Sequence, residues 1–263
     1  MKRELKYSLA FVVSTLLISW ALLFAILSSK ETIELYPLVM LIPATVGLIL
    51  NSIISKSFTI VVRPITTKVN IKSILFSIGF PILFIASTAL LVFIFKLGDF
   101  NIYVINELVE SPSIFALIIG LLLLFGEEYG WRGFLLPRLS TAKGKVYATI
   151  VVGTVWALWH APLIYGLGCH YNLPNPLLLT IIQMSAVFVL SVPFAYSYFI
   201  SNSIIPPMIF HFVWNWYNPI ILGNIYQNKP GIIKGDMLLI NGEGLVGLLL
   251  GFALMFWFLR KIK

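Results

Sequence analysis

Long apolar runs recur from one end of this chain to the other, and they limit its possible folds more than any other feature. A helix of about 20 apolar residues crosses the roughly 30 Å hydrocarbon core of a bilayer. Only 11% of the 263 residues are charged, whereas an ordinary soluble domain carries about 25%. The sequence therefore predicts an integral, multi-pass membrane protein, located in the cell membrane if the source is prokaryotic.

The runs predict an all-α fold, a polytopic membrane helix bundle of about eight transmembrane helices. We expect residues 1–263 to form a single transmembrane domain, because no flexible linker or internal repeat divides the chain. The first apolar run is longer than the core of a typical signal peptide and is followed by no convincing cleavage site, so we expect it to remain. The predicted spans are 7–28, 36–54, 73–95, 114–136, 146–167, 176–199, 204–222 and 241–259.

The charges predict that both termini are cytoplasmic. With the amino terminus inside, thirteen of the 18 basic residues fall in cytoplasmic segments, as the positive-inside rule requires. The net charge of +8 therefore reflects topology, and no nucleic-acid partner is expected. The cytoplasmic residues are Lys2, Arg3, Lys6, Lys56, Arg63, Lys68, Lys72, Arg138, Lys143, Lys145, Arg260, Lys261 and Lys263. The outer segments hold Lys30, Lys96, Lys229, Lys234, Glu31, Glu34, Asp99, Glu107, Glu110 and Asp236.

Three ionisable groups lie inside the apolar stretch LLLLFGEEYGWRGFLL, where each charge costs about 2.5–3.5 kcal/mol on insertion scales. Glu128 and Arg132 are four residues apart, so on a helix they project from the same face and can form an ion pair. Glu127 projects about 100° away and lacks that partner. The alternative is that all three reach the membrane interface by extending their side chains toward water.

Two of the three histidines also lie in apolar segments, His160 in WALWH and His211 in HFVWN. Asn215 follows His211 by four residues and shares its helix face. The third, His170, is expected in a solvated outer loop, next to the single cysteine, Cys169, which can form no internal disulfide. A single buried histidine often only packs, but this set lies on three different helices.

These residue types can hydrolyse an amide without a protein nucleophile. A carboxylate can take a proton from water, a histidine can orient that water or protonate the leaving group, and a second histidine with a carboxamide can donate to an oxyanion. Glu127, His160 and His211 could instead ligate zinc. We favour no metal, because the chain has no H-E-x-x-H motif and its histidines lie on separate helices.

The three motifs together resemble the intramembrane CAAX-protease and bacteriocin-processing family, which includes the Rce1 type of prenyl-protein endopeptidase. The family pattern is Glu-Glu-x-x-x-Arg, aromatic-x-x-x-His and His-x-x-x-Asn or Asp, and it corresponds here to EEYGWR, WALWH and HFVWN. The resemblance covers about residues 120–219, whereas the helices of residues 1–112 are less specific. Trp156 stands where phenylalanine is commoner.

The resemblance implies a peptide hydrolase in which Glu127 activates water and His160 positions or polarises it. It implies that His211 and Asn215 stabilise the oxyanion, while Glu128 and Arg132 support Glu127, and that the aromatic position is Trp156. Its substrate would be a membrane-associated or prenylated peptide. Two alternatives remain at this point: a non-catalytic bacteriocin self-immunity protein of the same fold, and an ion- or proton-coupled transporter.

A hydrolase in lipid needs water, so we expect a polar cavity that opens laterally or toward the cytoplasm. The predicted spans place Glu127 and His211 in the inner half of the membrane and His160 nearer its midplane. The three side chains would then meet only if the helices tilt or the predicted boundaries shift by a turn.

Overall fold

The computed structural model describes residues 2–55, 57–108 and 113–263, and it is almost entirely helical. Two short strands, β1 (Gly98–Phe100) and β2 (Ile233–Gly235), pair antiparallel with Gly98 opposite Gly235. A 3₁₀ segment, Ile33–Met40, leads into α2, another spans Ile102–Leu108, and a π-helical segment, Tyr129–Leu135, joins α5 to α6. The helices are α1 (Lys2–Leu27), α2 (Leu41–Ser55), α3 (Phe58–Thr66), α4 (Ile71–Ile94), α5 (Ile114–Glu128), α6 (Leu136–Lys143), α7 (Lys145–His170), α8 (Pro176–Ser201), α9 (Ile205–Leu222), α10 (Met237–Ile240) and α11 (Leu245–Ile262).

The predicted helical membrane bundle is confirmed. Within the described ranges, seven helical stretches are long and apolar enough to cross a membrane: α1, the 3₁₀ segment with α2, α4, α5 to α6, α7, α8, and α10 to α11. The predicted span 204–222 corresponds to α9, which is not among the seven. This helix carries His211, Asn215 and Asn218, and such polar side chains lower its hydropathy. It packs instead inside the bundle, against α4, α5 and α8.

The glycines around Glu127 allow α5 to touch the start of α2. A Cβ atom on Gly126 would collide with the Met40 carbonyl oxygen, and one on Gly130 would collide with Pro43. Such small residues let two membrane helices approach backbone to backbone. The π-helical segment begins directly after the two glutamates, and π-helical turns inside helices are frequent at functional sites. Close packing therefore fixes the position of this part of the chain.

The two ends of the bundle differ in charge. At the end we call the basic end, Arg138 lies 3.5 Å from Glu4 and the side chain of Lys145 lies over the ring of Phe199. The last helix also finishes there, since Phe258 packs on Phe76 near the start of α4. Both termini thus lie at the same end. Of the residues in the charge pattern, Lys56 and Glu110 lie outside the described ranges.

The opposite end, which we call the acidic end, contains the β1–β2 ribbon, the 3₁₀ segment before α2 and the end of α7. A Cβ atom on Gly166 of α7 would contact Leu27, the last residue of α1, so these two helices end side by side. The prediction that His170 lies in a solvated outer loop is wrong. His170 is the last residue of α7, is half-buried and packs edge-on against Tyr171.

Candidate functional site

A cavity of about 290 Å³ extends from the middle of the bundle toward the acidic end. Its walls come from α1, α5, α7, α8 and α9, from the 3₁₀ segment before α2 and from the loop after α9. Residues from all three motifs line it: Glu127, His160, His211 and Asn215. The four side chains that the sequence predicted to be catalytic are therefore brought to one cavity, from three separate helices.

Glu128 is the centre of a buried ion cluster beside the cavity. Its Oε1 atom accepts hydrogen bonds from Arg132 Nη1 at 3.0 Å and from His211 Nδ1 at 2.9 Å. Glu128 and Arg132 are both 0% exposed, so these groups do not reach the membrane interface. The ion pair is the one that the helical spacing predicted, whereas the bond from His211 joins residues 83 positions apart. Glu128 thereby fixes the ring orientation of a cavity-lining histidine.

Glu127 has a different partner, as its direction on the helix predicted. Trp156 Nε1 donates to Glu127 Oε2 at 2.8 Å, and both residues are almost completely buried. Within the part of the chain that the structure describes, no donor bonds the other carboxylate oxygen, Oε1. One oxygen of Glu127 is therefore held in place, and the second is left to accept a proton or hydrogen bond from a molecule in the cavity.

The Trp156 indole contacts four side chains of the motifs: Glu127, His160, His211 and Arg132. Its ring lies 5.4 Å from the His160 ring and 5.9 Å from the His211 ring, centroid to centroid. The Arg132 guanidinium lies 4.1 Å from the centroid of the same indole, a distance at which a cation is attracted to a ring face. Trp156 thus holds Glu127 by a hydrogen bond and also contacts Arg132 and His211 of the Glu128 cluster.

His160 is oriented by the backbone of its own helix. Its Nδ1 atom lies 2.8 Å from the Trp156 carbonyl oxygen. A carbonyl only accepts hydrogen bonds, so Nδ1 carries the hydrogen and, in the neutral ring, Nε2 carries the lone pair. The His160 ring can therefore accept a hydrogen bond from water in the cavity.

His211 and Asn215 present a second polar surface to the same cavity, one turn apart on α9. His211 is 6% exposed, and its Nδ1 hydrogen points to Glu128, which leaves Nε2 on the cavity side. Asn215 is an exposed side chain on the cavity wall. When the imidazole is protonated, both residues are hydrogen-bond donors.

The mismatch in depth expected from the predicted spans is not found. Counted from the acidic end, Glu127 lies 13 residues along α5, His160 lies 10 residues before the end of α7 and His211 lies 11 residues before the end of α9. At 1.5 Å per residue these positions are about 20, 15 and 17 Å deep. They agree because α7 continues three residues beyond its predicted end.

The cavity extends toward the acidic end, whereas the charges predict that the basic end is cytoplasmic. The expected opening, lateral or toward the cytoplasm, and the cytoplasmic position of the termini both stay predictions.

Sequence reasoning missed Glu243, a second carboxylate that lines the cavity. Its oxygens accept hydrogen bonds from Trp214 Nε1 at 2.8 Å, from Gln183 Nε2 at 3.2 Å and from the Tyr226 hydroxyl at 3.4 Å. Burial raises the pKa of Tyr226, and the neighbouring Glu243 carboxylate raises it further. The sequence feature that could have identified Glu243 is its position as an acidic residue inside the predicted membrane span 241–259.

The zinc alternative finds no ligand cluster in this arrangement. Among the described residues, no group of three His, Cys, Asp or Glu side chains is placed to hold a metal ion. Glu127, His160 and His211 line the same cavity without forming such a group.

Comparison with known proteins agrees with the motifs. Residues 109–217 match the family model described as type II CAAX prenyl endopeptidase Rce1-like. A protein from Methanococcus maripaludis named CAAX prenyl protease 2 is 44% identical over 39 residues, which is 15% of this chain and 14% of that relative. Over residues 109–217 the chain therefore matches a membrane-protease family, and the resemblance to the Rce1-like CAAX prenyl endopeptidases is confirmed.

Proposed function

We propose that this protein is an intramembrane endopeptidase that cleaves a membrane-associated or lipidated peptide by means of glutamate-activated water. The observation that supports this proposal most directly is the state of Glu127. One of its oxygens is fixed by Trp156, the other accepts no hydrogen bond from the described residues, and two histidines line the same cavity. A general base needs this combination of fixed orientation and an accessible oxygen.

In the proposed reaction, a water molecule donates one hydrogen bond to Glu127 Oε1 and the other to His160 Nε2. Glu127 takes the proton as the water oxygen attacks the carbonyl carbon of the peptide bond. The carbonyl oxygen becomes an oxyanion in the tetrahedral intermediate. When that intermediate collapses, the proton on Glu127 passes to the leaving nitrogen, so the products are a carboxylic acid and an amine and the carboxylate of Glu127 is restored.

The oxyanion would be stabilised by His211 and Asn215. His211 donates through Nδ1 to the Glu128 carboxylate, and in the protonated ring Nε2 also carries a hydrogen that can be donated into the cavity. The Asn215 amide supplies a second donor from the same helix face. Fixed donors aimed at a developing oxyanion are commonly worth about 10²–10³ in turnover each.

The test compares Glu127→Ala with the wild type in cells and after purification. We expect the membrane peptides that wild-type cells release to disappear in the variant, while the variant still inserts and purifies. Glu127→Gln keeps the size and one acceptor of the side chain but removes its basicity, so it should be equally inactive. Glu31→Ala is the matched control, since this exposed carboxylate lies at the same end of the bundle but outside the cavity.

Wild-type turnover in the Glu127→Ala variant would contradict the proposal. Two other outcomes correspond to the alternatives. Protection against a bacteriocin that is unchanged in Glu127→Ala would favour a non-catalytic immunity protein. Ion flux into proteoliposomes that is lost in Glu127→Gln, without peptide cleavage, would favour a transporter.

A further inference from the structure

Glu243 is a cavity carboxylate that the proposed reaction does not use. Within the described residues, its oxygens accept hydrogen bonds from three neutral donors, on Trp214, Gln183 and Tyr226. A carboxylate offers about four acceptor positions, and Oε1 accepts only from Trp214. Among these residues, no ion pair involves Glu243. The carboxylate therefore has one acceptor position left and no balancing charge.

The turn before α11 fixes the position of Glu243. The Gly242 N–H donates to Asn218 Oδ1 at 3.2 Å, and the Glu243 N–H donates to Asn241 Oδ1 at 2.9 Å. A Cβ atom on Gly242 would collide with Asn218 Oδ1 and touch the Trp214 ring. The turn thus packs directly on α9, and this packing sets where the carboxylate enters the cavity.

A buried glutamine on α8 orients the same carboxylate. Gln183 is 0% exposed, and its bond to Glu243 is the one hydrogen bond that its side chain makes with the described residues, since its Oε1 atom has no partner there. Burying an amide costs free energy unless the group forms hydrogen bonds. Side chains from α8, α9 and the loop after α9 therefore hold Glu243 in one orientation.

The cavity wall around Glu243 has the chemistry of a cation site. Trp214 and Tyr226 bond to the carboxylate directly, and Tyr36 lines the same cavity. Faces of aromatic rings attract ammonium and guanidinium groups. Within the part of the chain that the structure describes, the wall contains no lysine or arginine. A positively charged group of a ligand would supply both the missing donor and the missing charge.

This carboxylate is held close to the proposed oxyanion residues. Its partner Trp214 directly precedes Asn215 on α9 and follows His211 by three residues, about 4.5 Å along the helix axis. An extended peptide advances about 3.3–3.6 Å per residue. A substrate group bound at Glu243 therefore belongs to a residue within a few positions of the cleaved bond.

From these observations we propose that Glu243 is a specificity residue that binds a lysine or arginine side chain of the substrate. This inference rests on the proposed function and makes its substrate class more specific. The ammonium or guanidinium group donates to Glu243 Oε1 and lies beside the rings of Trp214 and Tyr226. The peptides that bind best then carry a basic residue within a few positions of the cleaved bond.

The experiment measures binding of two small probes to the purified full chain in detergent. The probes are Nα-decanoyl-lysine amide and Nα-decanoyl-norleucine amide, which differ in the presence of the ammonium group. Tryptophan fluorescence reports binding, because Trp156, Trp159 and Trp214 line the cavity. We expect the wild type to bind the lysine probe at least about 10-fold more tightly, as is common for a hydrogen bond between charged groups.

Glu243→Gln should bind the two probes equally. The variant keeps the size of the side chain, and rotation of the Gln183 amide and the Tyr226 hydroxyl lets both groups bond to the new amide. Its Tm, compared with that of the wild type, checks the fold. Glu31→Gln is the matched control, because it removes an exposed carboxylate outside the cavity, and it should keep the wild-type ratio. Affinity for the micelle cancels when ratios are compared in one detergent.

Equal binding of both probes by the wild type overturns the inference without any variant. It is also overturned if folded Glu243→Gln keeps the lysine preference, and loss of that preference in Glu127→Ala alone would assign the cation to Glu127. Because binding requires no turnover, these outcomes are separate from the proposed function, which fails if cleavage survives in Glu127→Ala. Peptides that disappear in Glu127→Ala cells give a second readout, since cuts without a nearby lysine or arginine would count against Glu243.

Discussion

Replacement of Arg132 tests the energetics of the buried ion cluster without any knowledge of the substrate. Arg132→Met keeps a flexible apolar stem between the rings of Trp156 and Phe194 but removes the charge that faces Glu128. Removing one partner of a buried pair costs about 3–5 kcal/mol, because an uncompensated charge remains. We expect a loss of about 3 kcal/mol, at the low end of that range, since His211 still donates to Glu128.

This loss can be measured by thermal unfolding of the purified protein in detergent, followed by tryptophan fluorescence. At about 2–4 °C per kcal/mol, the Tm should fall by roughly 6–12 °C. The double variant Glu128→Gln/Arg132→Met removes both charges, and the amide oxygen of the new side chain can still accept from His211. The double variant should recover most of the lost stability, and about 1 kcal/mol should remain lost because the cation–π contact is gone. A double variant as unstable as Arg132→Met, or an unchanged Tm in Arg132→Met, would refute the reasoning.

Three further predictions concern the cavity and its wall. Trp156→Phe keeps an aromatic ring but removes the hydrogen bond to the Glu127 carboxylate, and such bonds are worth about 1.5–3 kcal/mol. Turnover should fall by roughly 10- to 150-fold. Circular dichroism should show that the variant keeps its fold. Chelators that strip zinc should leave cleavage of a reporter peptide unchanged, and loss of activity that only added zinc restores would contradict the glutamate mechanism. Burial and Glu243 raise the pKa of Tyr226, so the folded state holds the Tyr226 proton more tightly than the unfolded state does. The free energy of unfolding should therefore fall as the pH rises above about 10. Unfolding curves of Tyr226→Phe should show a smaller loss of stability at alkaline pH than those of the wild type.

Local periodicity in the sequence was sufficient to predict the helices and the Glu128–Arg132 pair of the ion cluster. Apolar length predicts a membrane helix without knowledge of its neighbours, and the predicted spans differ from the observed stretches mainly where a 3₁₀ segment, a π-helical segment or a short helix extends them. The pairing of Glu128 with Arg132 follows from four-residue spacing alone. The three motifs likewise identified four of the polar side chains that line the cavity, Glu127, His160, His211 and Asn215.

The partners of those side chains depend on how the helices pack. The spacing of residues along one helix gives no information on which residue of another helix lies opposite, so the bonds from Trp156 to Glu127 and from His211 to Glu128 could not be predicted. Glu243 enters the cavity because the turn before α11 folds against Trp214 of α9.

The sequence alone predicts a membrane helix bundle with carboxylates and imidazoles on separate helices, because membrane insertion and helical spacing depend on nearby residues. The folded bundle was needed to show that these groups share one cavity, and toward which end of the bundle that cavity extends. Both facts depend on contacts between helices far apart in the chain, as between Gly126 and the Met40 backbone, and no local pattern encodes such contacts.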